Sequence, residues 1–109
     1  MNAIFNLMSS EKWEKIKDQL YYKPSSLEKE GFIHCCTEEQ VLWAAERFYN
    51  NSDEIVLLRI DTDRLESQLK FETSNEMLFP HIYGPLNLDA VVHVSLLLSN
   101  GHGVFDFVN

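Results

Sequence analysis

Positive charge is scarce in this chain: nine Lys and Arg stand against 17 Asp and Glu, a formal net charge of −8. Affinity for a phosphate backbone rests on clustered cations, whereas Lys12, Lys15 and Lys17 are interleaved with Glu11, Glu14 and Asp18, the pattern of a solvated helix face. No nucleic-acid partner is expected. Cysteine is nearly absent, and its two copies, Cys35 and Cys36, are adjacent. Neighbours on a strand point to opposite faces and make poor disulfide partners. They also lack the spaced pairing of structural zinc sites, so the chain is expected to fold without a metal. No apolar run approaches the roughly 20 residues that span a bilayer, and Met1-Asn2-Ala3 lacks the basic and apolar parts of a secretory leader. The expectation is a cytoplasmic protein that makes no membrane contact. Only four Gly and three Pro occur, and no internal repeat or low-complexity segment is found.

What is present suits one globular domain over residues 1–109: 45% hydrophobic and 24% charged residues, enough for a core that needs no staple. Ala3 to Met8 reads as a strand before a Ser9-Ser10 cap. The helix that follows spans Glu11 to Leu20, with Trp13, Ile16 and Leu20 towards the core. Lys23-Pro24-Ser25-Ser26 breaks it. After Gly31, the short strand Phe32 to Cys36 stops at Thr37-Glu38-Glu39-Gln40, a Thr-x-x-Gln capping box. The next helix carries Val41, Ala44, Ala45 and Phe48 on one stripe and ends near Asn50-Asn51, where Asn tolerates the left-handed conformation. Glu54 to Asp61 is a nearly continuous apolar run, which predicts a central strand buried on both faces. Leu69 to Glu72 reads as a brief strand, Thr73 to Glu76 as loop, and Ala90 to Leu98 as a strong strand. The turn Ser99 to Gly103, with His102 exposed, leads to a last strand from Val104 to Val108. Helices early and strands late predict an α+β fold, a single compact domain of short helices on small mixed or antiparallel sheets.

Two segments could carry chemistry. In an extended Phe32 to Cys36, His34 shares a face with Phe32 and Cys36 and stands just before a helix N-terminus at Thr37, where an anionic or carbonyl-bearing ligand is favoured. The second, Phe79-Pro80-His81-Ile82-Tyr83-Gly84-Pro85-Leu86-Asn87, holds two prolines that cannot donate to a ladder, so it reads as a rigid, irregular connection. If it is locally extended, His81 and Tyr83 point the same way. Both segments also admit a structural reading, with the side chains only satisfying buried carbonyls. A Cys36 nucleophile paired with His is a further alternative, since a helix N-terminus lowers a thiol pKa. His93 alternates within its strand without an evident partner.

These segments resemble a known family. Gly31-Phe32-Ile33-His34-Cys35-Cys36-Thr37 is similar to its Gly-Phe-Ile-His-x-Ser-Thr motif, and Phe79 to Leu86 to its Phe-Pro-His-x-Tyr motif. The likeness extends to Gln40-Val41, Arg47-Phe48-Tyr49 and Val56-Leu57-Leu58. On this basis the chain is identified as a member of the small bacterial family catalogued as domain of unknown function 952. The resemblance implies a fold similar to ADP-ribosyltransferases, two small sheets around a cleft that holds NAD in the active enzymes. In those enzymes an early-strand His holds the ribose, an aromatic ring stacks on nicotinamide and a late carboxylate stabilises the transition state. The early position is Asn6 here, where many relatives carry His, and the late segment offers Asn87 or Asp89.

The resulting expectation is a pocket for a small-molecule ligand, a nucleotide or a phosphorylated compound, with NAD or a related nucleotide as candidate cofactor. The candidate catalytic residues are His34, His81 and Tyr83; the candidate cofactor-binding residues are Asn6, Cys36, Thr37 and Asn87. An NAD-dependent ADP-ribosyl or glycosyl transferase, a non-catalytic regulatory or protein-interaction module, and a Cys-dependent hydrolase or redox protein remain the competing readings. Oligomeric state is not legible in the sequence.

Overall fold

The Ser9 hydroxyl accepts from the Lys12 N–H at 3.1 Å and so starts the first helix, which ends at Ile16, earlier than its periodicity suggests. In the computed structural model, which describes residues 2–101 and 104–108, the chain begins with β1 (Ala3–Met8), α1 (Ser10–Ile16) and β2 (Tyr21–Tyr22). There follow α2 (Ser25–Glu30), β3 (Ile33–His34), α3 (Val41–Phe48), β4 (Glu54–Asp61) and β5 (Gln68–Ser74). β6 (Met77–Tyr83), β7 (Leu86–Asn87), β8 (Val91–Ser99) and β9 (Phe105–Val108) complete the fold, which is α+β as expected. Strands pair antiparallel in a four-stranded sheet of order β1-β4-β8-β9, a three-stranded sheet of order β3-β6-β5 and the pair β2-β7.

β4 lies between β1 and β8, and its alternate side chains feed two cores. Val56, Leu58 and Ile60 join Ile4, Met8, Ile33, Ile82 and Leu86 on one face. Ile55 and Leu57 join Phe5, Val41, Ala45, Leu97 and Phe105 on the other. Cys35 enters the first core and Cys36 the second, the opposite orientation that a strand imposes on neighbours.

The structure corrects several expectations. Leu20 is 82% exposed rather than core-facing, because the chain leaves α1 early and the Leu20 carbonyl accepts from the Leu88 N–H at 3.0 Å, beside the β2-β7 pair. Pro24-Ser25 does not simply break a helix: Pro24 is the N-cap of α2, which Gly31 ends at φ 90°, a left-handed turn that glycine adopts freely. α3 ends at Phe48, before Asn50, and among the described residues the left-handed non-glycine residues are Asn75 and Glu76. These two form the turn of a β5-β6 hairpin in which Ser74 pairs with Met77, so Thr73 and Ser74 are strand, not loop.

The larger correction concerns Phe79 to Tyr83, which is not an irregular connection but most of β6, the middle strand of its sheet. Pro80 is tolerated because the nitrogen that lacks a proton falls opposite Cys35, one residue past the end of β3; there the Cys35 N–H donates to the Pro80 carbonyl at 3.1 Å. The chain then crosses to the other sheet, where Phe5 and Cys36 exchange two backbone hydrogen bonds of 2.8 Å. The capping box at Thr37 and Gln40 is present, with the Thr37 N–H donating to Gln40 Oε1 at 2.9 Å. It heads a 3-10 turn, Glu38–Gln40, that runs into α3. The expected strand from Val104 begins at Phe105, and His102 lies outside the described residues.

Candidate functional site

Residues directly opposed across antiparallel strands share a face. The register places His34 opposite His81, and His81 opposite Lys70, with Tyr83 and Glu72 two residues away on the same face. Phe32, one step before β3, completes the cluster. Its ring stacks on His81 at 4.0 Å and 18°, meets the His34 ring edge-on at 4.8 Å and lies 5.3 Å from Tyr83. The two imidazoles are 5.5 Å apart. The motif segments therefore meet side by side, and His81 and Tyr83 point the same way.

The two histidines differ in environment. His34 is more than half exposed, its Nε2 lying 2.8 Å from Glu30 Oε2 on α2. His81 is only 5% exposed, and its Nδ1 lies 2.8 Å from Glu72 Oε1. The same carboxylate oxygen accepts the Tyr83 hydroxyl at 2.6 Å. Hydrogen bonds from Tyr83 first, then His81, hold the Glu72 carboxyl below the ordinary carboxylate range, and the anion in turn pushes the Tyr83 phenol up. An ionised carboxylate only accepts, so His81 carries its proton on Nδ1. Nε2 makes no hydrogen bond to the described residues and is left open. It can accept a proton from a ligand hydroxyl or amine while Glu72 stabilises the resulting cation.

Beside this cluster lies a cavity of about 430 Å³ between β3, β6 and α3, lined among others by His34, His81, Cys36, Phe48, Phe79 and Asn75. Arg47 stands at its margin, the guanidinium 5.8 Å from the Phe48 ring centre and 3.5 Å from Asn75 Oδ1. A larger, shallower depression of about 860 Å³ between α1 and the Gln19 to Ser25 segment is mostly edged by exposed residues of α1 and the following turn and gathers no comparable cluster.

The other candidates fall elsewhere. Tyr83 is not among the cavity-lining residues, and its hydroxyl is engaged by Glu72 with Lys70 Nζ 4.7 Å over its ring. Asn6 is buried behind the cavity and donates to the His34 carbonyl at 2.8 Å, a positioning contact rather than a wall. Thr37 acts through its cap and does not line the cavity. Asn87 accepts from the Glu66 N–H and donates to the Arg64 carbonyl and to Asp89, so it fixes the turn before β5. Cys36 does line the cavity, but burial pushes its thiol up to about 12, and burial raises Cys35 further still. Inert thiols argue against the Cys-dependent reading.

Sequence reasoning missed Phe32 as the cover over His81, Glu72 as its anchor, and Glu30. The signal for Glu72 lay in the hairpin: with the turn at Asn75-Glu76, Lys70 must face His81 and Glu72 its diagonal neighbour. Among the described residues no group of three or more His, Cys, Asp or Glu side chains is arranged to hold a metal ion, and no helix is long and apolar enough to cross a membrane.

No curated protein matches the chain. The chain is similar to protein CC0527 from Caulobacter crescentus: the crystal structure of that protein is 28% identical, with a TM-score of 0.85 over 96% of this chain and 94% of that one. Its solution NMR structure is 30% identical and covers 95% and 91% of the two chains with a TM-score of 0.79. Residues 7–94, which hold both motif segments, match the family described as "Protein of unknown function (DUF952)", and the chain belongs to that family.

Proposed function

We propose that the protein is a small-molecule receptor of ADP-ribosyltransferase-like architecture whose cavity between β3, β6 and α3 takes a nucleotide or a related phosphorylated compound. The observation that carries this reading is His81: buried, anchored through Nδ1 on an ionised Glu72, and left with an unpartnered Nε2 on a cavity wall that it shares with His34. An imidazole held this way is preorganised for a ligand hydroxyl or phosphate oxygen. Phe48 and Phe79 offer apolar surface for a planar ring, and Arg47 at the margin supplies a cation for an anionic group. A volume of about 430 Å³ lies within the usual range for ligand sites, roughly 300 to 1,000 Å³. The net charge of −8 favours a small partner over a polyanion. Transfer chemistry on such a ligand would use His81 as the proton-accepting group, with Glu72 positioning it.

Titration calorimetry with NAD, ADP-ribose and AMP tests the reading. One of them should bind, and His81→Ala and His34→Ala should each weaken it about five- to thirtyfold, the loss of one or two hydrogen bonds. Absence of binding for all three ligands would end the nucleotide reading. Consumption of NAD that depends on His81 would establish the transferase form.

A further inference from the structure

Arg59 is a half-buried arginine on β4 whose Nε is fully buried and without a hydrogen-bond partner, and among the described residues it forms no ion pair. Arginine keeps its charge at any ordinary pH; the side chain is partly exposed, so the costly feature is the buried Nε–H that lacks an acceptor. The chain has 17 acidic residues, yet none of the described ones neutralises this cation. Arg59 lines a second cavity, of about 310 Å³, between the four-stranded sheet and the start of α3, and that cavity shares no lining residue with the His81 cavity. Its floor is apolar, made by Phe5, Leu57 and Val41, and its polar groups besides Arg59 are Ser95, His93 and Glu38. The register sets Arg59 directly opposite His93 and Ser95 opposite Leu57, so all three polar side chains on the sheet share one face. Pairing shifts between Arg59 and Ile60, where Val92 is the extra residue on β8. Such bulges re-aim neighbouring side chains.

We propose that this cavity is an anion site for a small organic oxyanion, a phosphate or carboxylate on a short apolar body. Arg59 takes the anion through the terminal Nη groups of its guanidinium, which lie beyond the buried Nε, and Ser95 and His93 add donors. Phe5 and Leu57 receive the apolar part. Glu38, exposed at the rim, repels the ligand and limits affinity.

The test is a titration of the full-length protein, at low salt, followed by the Arg59 Nε–H and the Ser95 and His93 amide resonances. The probes are phenyl phosphate, benzoate and inorganic phosphate. Saturable shifts of these resonances are expected with phenyl phosphate or benzoate, and the two together separate phosphate from carboxylate preference. Inorganic phosphate should bind about tenfold or more weakly, lacking the apolar body. Arg59→Lys should weaken binding about tenfold by losing the fork, and Glu38→Gln should strengthen it severalfold. His81→Ala should leave this binding unchanged, which separates its failure from that of the nucleotide reading. The proposal is overturned if no probe gives a saturable shift at Arg59. It is overturned equally if Glu38→Gln lowers thermal stability without improving binding, because Glu38 would then be the internal counter-ion of Arg59.

Discussion

Removing the Phe32 ring tests the candidate site most directly, because this ring stacks at 4.0 Å on the buried His81. A Phe→Ala change in a full core costs about 3–5 kcal/mol. Phe32 is half-buried, so about half of that applies. The aromatic part is worth about 0.5–1.5 kcal/mol per well-placed pair, and the 4.0 Å stack on His81 is the best placed of its three ring contacts. Phe32→Ala should therefore cost about 2–4 kcal/mol, a fall in melting temperature of about 10–25 °C for a domain of this size. Phe32→Leu should recover the apolar share and not the stacking. Urea unfolding of Phe32→Ala, His81→Ala and the double variant gives the pair directly, with an expected coupling of about 0.5–1.5 kcal/mol. A coupling of zero would mean that the rings are merely adjacent, and a Phe32→Ala protein about as stable as the parent would refute the claim that this residue packs productively on His81.

Three further outcomes follow from other parts of the fold. Burial places the Cys36 thiol near 12 instead of the ordinary 9.0, which lowers the thiolate fraction about a thousandfold at pH 8; a thiol reagent should label neither cysteine in the native protein and both in denaturant, and rapid native labelling would refute this. Gly84 has φ 152°, and an added Cβ would lie 2.9 Å from the Ser67 Cβ; Gly84→Ala should thus cost about 1–3 kcal/mol, with a melting curve superimposable on the parent's as the contrary result. The folded Glu72 carboxyl lies below its ordinary 4.5, so its stabilising share is present above that value and is lost as pH falls through the folded one. Glu72→Gln should accordingly flatten the acid limb of the stability curve below pH 4.5, and an unaltered acid limb would contradict the Tyr83 and His81 hydrogen bonds to Glu72.

The elements legible in the sequence are those whose signal is local. The apolar run Glu54 to Asp61 is β4 to the residue, and Ser9 and Thr37 start helical segments as their side chains suggest. What was not legible depends on partners distant in sequence. Pro80 argues against a central strand until it is known that β3 ends opposite it. α2 is six residues long with one large apolar side chain, too short for a periodicity. Leu20 fits the stripe of α1, but the helix stops at Ile16 and the Leu20 carbonyl instead accepts from the Leu88 N–H. In the candidate site, His34 and His81 were found through their motifs, and Glu72, which orients His81, was not, because its role follows from hairpin register. Tyr83 and Asn87 carried the right chemistry for ligand contact, yet both direct it inward, to Glu72 and to the turn before β5.

The short segment from Cys35 to Cys36 bonds to Pro80 in one sheet and to Phe5 in the other. A seam of that kind makes the two sheets one cooperative unit: β3 cannot lift from β6 without tearing the Phe5 contacts as well. The Cys35, Cys36 and Phe5 amides should then exchange with solvent only through opening of a large part of the molecule, at rates far below those of the Asn75-Glu76 turn. The wall carrying His34 and His81 faces a cavity edged on the other side by α3 and the hairpin tip, where Phe48 is 60% exposed, so a ligand reaching that wall leaves the seam intact.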